Sequence, residues 1–211
     1  MTAPRTLSTA LAVFLRHGSP LILLTLSLVA VSWRLLLGDW SAWDGLIALA
    51  WFAWWPFQEW LIHVFVLHHR PKRIGSWTFD PPNARKHRRH HRDPNNIPLT
   101  FIPLHTFATT LPLLVGLNLW LLPLPLAATS IATFVVLSLH YEWCHYLSHV
   151  PYTPPLAYYR RICKAHTLHH FRHEQNWYGV SRTFGDVVLG TAPDAASTEL
   201  SPTVRTLGIE I

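Results

Sequence analysis

LPLAATSIATFVVLSLHYEWCHYLSHV, residues 124–150, is apolar for long enough to cross a bilayer and then runs straight into two histidines, His145 and His149. About 20 consecutive apolar residues carry a helix across the hydrocarbon core of a membrane. Three more segments share this length and character, at about 20–37, 43–67 and 103–122. Residues 38–42 and the Pro123–Pro125 corner join them as tight turns, so the chain reads as two helical hairpins. A polar loop at about 69–98 separates the hairpins, and polar sequence follows from about 151. The expected fold is all-α and integral to the membrane: four transmembrane helices in two hairpins under a histidine-rich helical cap.

Composition agrees. Half of the 211 residues are hydrophobic and 13% are charged, against about 25% charged in a soluble domain. The eleven tryptophans and seventeen prolines also suit a membrane protein, because tryptophan collects at bilayer interfaces and spanning helices tolerate proline. The formal charge is +6, but the basic residues flank apolar spans and form no separate basic domain. Membrane lipids of an anionic leaflet, and not nucleic acid, are the expected partner. Two cysteines, Cys144 and Cys163, make no disulfide framework.

Lys and Arg set the orientation. The 69–98 loop carries Arg70, Lys72, Arg73, Arg85, Lys86, Arg88, Arg89 and Arg92, and the last segment adds Arg160, Arg161, Lys164, Arg172 and Arg182. The short hairpin turns carry none, which puts the loop and both termini in the cytoplasm. Arg34, near the outer end of the first span, is expected to snorkel to the interface. Residues 1–18 form a cytoplasmic or interfacial segment, with Leu7, Leu11, Phe14 and Leu15 striped beside Arg5 and Arg16. A cleaved signal peptide fits less well, since the run from Pro20 is long and no small-x-small site follows it. Residues 19–191 form the membrane domain, and 192–211 a flexible cytoplasmic tail. Fourteen arginines against three lysines point to a GC-rich bacterial genome, and hence to a bacterial inner membrane.

Ten of the fifteen histidines fall into four groups: His63 and His68; His87, His90 and His91; His145 and His149; His166, His169 and His170. Residues three and four apart share a helix face, so each H-x-x-H-H triplet can point its rings one way. His63 and His68 do not fit, because five residues turn an α-helix face by roughly 140°. Either the helix is distorted there or the two rings serve different metals. The second and fourth spans both end in the cytoplasm, so all ten rings can converge in one layer under the membrane. A single histidine at an interface is usually a surface residue, and one basic triplet serves equally well to contact lipid phosphate. Two triplets and two pairs on one side are what a polynuclear metal site requires. Ten imidazoles exceed the four to six ligands of one ion, so two ions are expected, and imidazole suits Fe, Cu, Zn and Ni alike. Glu59 and Glu142, one turn before His63 and His145, are expected to hold the rings' second nitrogens. His173 is a possible extra ligand. His17 is read as interfacial, His69 as solvated, His105 as a polar residue and His140 as a buried hydrogen-bonding one.

On these motifs the chain resembles the fatty acid hydroxylase and sterol desaturase superfamily of membrane di-iron enzymes. The likeness runs through Glu59-Trp60-x-x-His63 with His68, His87-x-x-His90-His91 with Pro94-Asn95, and Tyr141-Glu142-x-x-His145-Tyr146-x-x-His149. It continues through His166-x-x-His169-His170 and ends in Gly179-Val180-Ser181, Phe184-x-Asp186 and Gly190-Thr191. The spacings are most similar to the fatty acid 2-hydroxylase branch, with Val64 where that branch often carries a basic residue. The resemblance implies two iron ions (Fe2+, which zinc can replace in a purified sample), O2 as co-substrate, and a lipid substrate, a fatty acyl chain before a sterol or carotenoid. It implies no catalytic residues beyond the metal centre. No cytochrome b5 domain is appended, so electrons are expected from a separate cytochrome b5-like, ferredoxin-like or reductase donor. Two other classes compete. A zinc-dependent lipid hydrolase would use fewer ligands and an open water position, and a metal transporter would need ionisable residues midway through the bilayer.

Overall fold

The computed structural model describes residues 4–209; residues 1–3 of the N-terminal segment and 210–211 of the tail lie outside it. Nine α-helices are found among the described residues: α1 (Leu7–Phe14), α2 (Gly18–Leu37), α3 (Ala42–Leu61), α4 (Pro82–Arg92), α5 (Ile97–Thr100), α6 (Leu104–Leu121), α7 (Leu124–Leu147), α8 (Ala157–Phe171) and α9 (Phe184–Val188). A π-helical turn, Ile62–Leu67, continues α3. The cap is not purely helical. Strands β1 (Lys72–Ile74) and β2 (Trp77–Phe79) pair antiparallel within the 69–98 loop, closing around Gly75 at φ +60°. The Ile74–Trp77 and Lys72–Phe79 partners face each other across the pair, a stabilising kind of cross-strand contact that helical periodicity does not reveal.

Three segments are long and apolar enough to cross a membrane: Gly18–Leu37, Ile97–Leu121 and Leu124–Leu147. They mark the chain as a membrane protein. Helix α3 is 20 residues long but is not among them. Trp43, Trp51, Trp54, Trp55 and Trp60, with Asp44, Gln58 and Glu59, lower its hydropathy. Three of the four expected spans are thus found, and α3 has the length of a span without its apolarity.

Helix α7 is the spine. Helices α2, α3 and α6 all pack on it, and half of its apolar window is buried against 28% for α2 and 17% for the Ile97–Leu121 segment. Its buried face is built from Ala127, Ala128, Ser130, Ala132 and Ser138. Small residues let helix backbones approach closely where lipid supplies no hydrophobic drive. At the histidine end, Ala10 and Phe14 of α1 join Phe101 and Tyr146 in a small core. The α1 stripe is therefore divided: Phe14 is buried, and Leu7, Leu11 and Leu15 remain exposed.

Two proline and arginine details explain how the elements lock. Pro56 lies inside α3, and proline cannot donate to the carbonyl four residues back. That carbonyl, Phe52 O, instead accepts from Arg182 Nη1 at 2.6 Å. Beside it, Gly185 of α9 sits so close that a Cβ there would stand 2.5 Å from Pro56 O. The last segment is thus seated on the irregularity in α3.

Arg34 does not snorkel. It is 3% exposed and pairs with Asp44 of α3 at 2.8 Å. It also donates to Thr129 Oγ1 of α7 at 2.6 Å and to Gly38 O at 2.5 Å, with its guanidinium over the Trp40 ring. Asp44 in turn accepts from Ser41 N at 2.9 Å, so one carboxylate starts α3 and neutralises α2. Tertiary pairing replaces snorkelling because Asp44, Thr129 and Gly38 O satisfy the guanidinium inside the protein. Removing one member of such a pair leaves a buried charge alone. Asp44→Ala should therefore lower unfolding stability in detergent by about 3 kcal/mol, while the double change Arg34→Met/Asp44→Leu should cost much less. Equal losses in thermal melts of the two variants would show that the pair is not buried as described.

Candidate metal centre

The histidines come from four places: the π-helical turn, α4, the end of α7 and α8. The π-helical turn resolves the awkward 63/68 spacing. His68 N donates to His63 O at 2.9 Å, an i to i−5 bond that widens the turn. One wide turn then brings both rings to the same side, with centroids 4.9 Å apart. Of the two readings open from sequence, the distorted helix is the one found.

The ten rings meet as two groups of five: His63, His68, His87, His91 and His169; and His90, His145, His149, His166 and His170. Within each group one nitrogen from every ring lies within 4.8 Å of the others. The triplets do not act as units. His87 and His91 face one group and His90 the other, and His169 is likewise separated from His166 and His170. In each triplet the pair four apart stays together, while the adjacent residues, about 100° apart around the helix, turn to different centres. Contact continues across the two groups, the His91 and His170 rings stacking at 4.2 Å.

Several ring nitrogens confront each other with no hydrogen-bond logic of their own. Nε2–Nε2 distances are 3.1 Å for His63–His87, 3.2 Å for His91–His169, 3.1 Å for His90–His149, 3.2 Å for His90–His145 and 3.0 Å for His149–His166. With metal–nitrogen bonds of about 2.1 Å, adjacent ligands at right angles stand about 3.0 Å apart. The spacing therefore fits nitrogens aimed at a shared ion. His68 Nε2 and both nitrogens of His170 are buried without any protein partner, which a buried polar atom rarely tolerates. Each group offers imidazole only, a donor set that suits iron among other transition metals.

Burial also keeps the rings unprotonated. His90, His91, His166, His169 and His170 are fully buried. Burial first, and the neighbouring rings second, push His91 down to about 3 and hold His169 and His170 well below the ordinary imidazole range. The rings are neutral at pH 7, with lone pairs free for a cation. The tautomers of three of them are fixed by main-chain carbonyls. Nδ1 of His63 donates to Tyr178 O at 2.6 Å, of His91 to Val204 O at 3.0 Å and of His169 to Asn176 O at 2.7 Å. That leaves Nε2 as the inward-facing donor.

Glu59 and Glu142 are fully enclosed but touch no histidine ring. Glu59 accepts from Trp55 Nε1 at 2.5 Å, Val180 N at 3.1 Å, Ser181 N at 2.9 Å and the Ser181 hydroxyl. Glu142 accepts from Ile102 N at 2.8 Å and from the Ser19 hydroxyl. Both stand on helices that carry histidines, and each spends its hydrogen bonds on N–H groups and hydroxyls instead of a histidine ring, with Glu142 Oε2 left without a partner. His173 joins neither group; its Nδ1 accepts from Gln175 N at 3.2 Å just past the end of α8. His69 is half-buried against Phe79 instead of solvated. His105 bonds Asn83 at 2.9 Å, and His140 is half-buried beside Tyr158 and Cys144. The supporting carbonyls of Tyr178, Asn176 and Val204 carry no signal in the sequence. Residues 192–209, set apart as a tail, pack on the cap, where Thr203 bonds Glu174 at 2.6 Å and Val204 reaches His91.

A cavity of about 200 Å3 ends on the centre. Its walls are largely apolar, with Trp55, Phe107, Leu111, Phe134 and Val135, and it reaches His87 of one group and His145 of the other.

The family model for fatty acid hydroxylases matches residues 48–191, the stretch that contains every one of these histidines. The chain belongs to the fatty acid hydroxylase family. Among curated members, dihydroceramide fatty acyl 2-hydroxylase FAH2 of Arabidopsis thaliana is 29% identical over 141 residues, 66% of this chain and 57% of that protein. FAH1 of the same plant is 27% identical over 146 residues. This hydroxylase-family chain spans about 57% of the length of those relatives. A solved structure, full-length scs7p with only its hydroxylase domain visible, superposes with a TM-score of 0.69 at 24% identity, covering 87% of this chain and 68% of that one. At that identity the likeness concerns the fold.

Two outcomes follow for this family member. His91→Ala and His145→Ala should each lower the divalent metal retained on purification, read by elemental analysis, whereas His173→Ala should leave it unchanged. An unfolded imidazole takes up a proton below about pH 6.5, whereas His91 resists to about 3. Protons thus favour the unfolded chain, and metal-free protein should melt at progressively lower temperature from about pH 7 to about pH 5. A melting temperature flat over that interval would mean that the rings are accessible.

Proposed function

We propose that the chain is a membrane-bound hydroxylase that inserts one oxygen atom of O2 into a fatty acyl chain, with two iron ions held by the two groups of five histidines. The observation that carries this reading is the apolar cavity ending between His87 and His145, because it brings one substrate carbon within reach of both groups at once. The names of the plant relatives, dihydroceramide fatty acyl 2-hydroxylases, support an acyl chain over a sterol or carotenoid. When bound, iron supplies the activation of O2, with two electrons from a separate donor protein and two protons; one oxygen enters the C–H bond and the other leaves as water.

The chain's own residues do the rest. Trp55, Phe107 and Phe134 hold the acyl chain straight and exclude water by burying it. The carbonyl-anchored imidazoles keep Nε2 lone pairs aimed inward, and the neutral rings leave the positive charge of the metals uncompensated. Toward the polar end of the cavity Lys86 donates to Phe101 O at 2.6 Å and fixes the wall where α4 meets α5. In this reading α3 with its π-helical turn is the fourth span, made amphipathic by the groups it offers the site. The histidine layer faces the cytoplasm, because the Lys and Arg residues cluster in the segments that carry it. The bacterial inner membrane remains the proposed location.

Lipid mass spectrometry of cells with and without the protein, grown under labelled O2, tests the activity. A hydroxylated acyl lipid carrying one labelled oxygen atom is the expected product, lost in His87→Ala and His145→Ala. No new hydroxylated lipid, or a label that comes from water, would overturn the proposal.

A further inference from the structure

The peptide unit between Tyr178 and Gly179 is gripped from both sides by buried groups. Its carbonyl accepts from His63 Nδ1 at 2.6 Å, and its N–H donates to Asp186 Oδ2 at 2.7 Å. Asp186 Oδ1 accepts from Tyr178 N at 2.8 Å and from Thr191 Oγ1 at 2.7 Å. The next two N–H groups, of Val180 and Ser181, end on Glu59 Oε2. Four successive peptide N–H groups thus close on two carboxylates, which lets an irregular strand of backbone run fully buried. Asp186 is 0% exposed and all its partners are donors, so the ionised carboxylate is the form the site accommodates. Gly179 is required here: a Cβ would stand 2.1 Å from Arg182 O and 2.8 Å from Asp186 Oδ2.

We propose that Asp186 is a positioning residue for the first histidine group, acting on His63 through the Tyr178–Gly179 peptide. The carboxylate fixes the direction of the Tyr178 carbonyl, and that carbonyl fixes the Nδ1–H tautomer and the tilt of the His63 ring. Because a hydrogen-bonded chain polarises its members, the negative charge behind the peptide also makes Nε2 a stronger donor to a divalent cation. It is a carboxylate–histidine pair with one peptide unit inserted. Thr191, itself held by Trp60 Nε1 at 2.9 Å, keeps the carboxylate aligned. Among the described residues the device serves one group only. Nδ1 of His90, His166 and His170 in the second group has no protein partner. The two sites are therefore unequal in donor strength.

This inference rests on reading the groups as metal sites, and its test separates the two ideas. Metal-free full-length protein in detergent is titrated anaerobically with Fe2+ and with Co2+ against a chelator, and the His63 ring is observed by nitrogen NMR before any metal is added. In Asp186→Asn the amide must turn an N–H toward a backbone N–H, so one of the two bound equivalents should weaken about 10–100-fold while the other holds. His63 should pass from a single Nδ1-protonated tautomer to a mixture. Thr191→Val, which removes one donor and keeps the carboxylate, should weaken the same equivalent by less. Equal weakening of both equivalents, no weakening, or an unchanged His63 tautomer would overturn the proposal. If Asp186→Asn fails to fold, Thr191→Val decides by the same criteria. If the parent binds neither cation, the metal reading falls, and the tautomer measurement alone decides the role of Asp186.

Discussion

Ten imidazoles buried together must stay neutral and aim one nitrogen inward, and His63, His91 and His169 also give Nδ1–H to a main-chain carbonyl. In water none of this would matter; in a packed, low-dielectric layer a charged ring or an orphaned nitrogen costs free energy with nothing to offset it. Much of the irregular structure of the chain answers that demand. The π-helical turn rotates His68 onto the side of His63. The unpaired carbonyls of Tyr178, Asn176 and Val204 are left free of secondary structure to take Nδ1–H groups. Segments that look like loops and a tail are the wall against which the rings are set.

The carboxylates illustrate the same economy. A negative charge placed directly on a ring would counter the positive charge of a bound ion. Asp186 instead sits one peptide away from His63, Glu59 holds the next two N–H groups of the same backbone run, and both spend oxygens on backbone N–H groups. They stabilise the backbone that stabilises the rings. Glu142 does related work at the other side of the cavity, tying Ile102 to α7 and to Ser19 at the start of α2.

At the opposite end of the helices, away from the histidines, the constraint is simpler. Close approach of α2 and α3 to the small-residue face of α7 carries the packing, and Arg34, Asp44 and Thr129 form a single polar contact among three helices. An ion pair in such a place contributes more to register than to net stability.

The sequence by itself determined the helical spans near 20–37, 103–122 and 124–150, the family motifs and the identity of the ten converging histidines. Those follow from local properties: runs of apolar residues, and residue types at fixed spacing. Only the tertiary structure decided how the ten divide, because which side of each helix faces which centre depends on how α4 and α8 are set against α3 and α7. The same holds for the partners of Arg34, Glu59 and Asp186, and for the Val204 carbonyl behind His91. Each contact joins residues far apart in the chain, and main-chain carbonyls are identical at every position, so nothing in the order of amino acids marks the ones that matter. Distance in space, set by packing on α7 and by the irregular turn at Ile62–Leu67, made those choices.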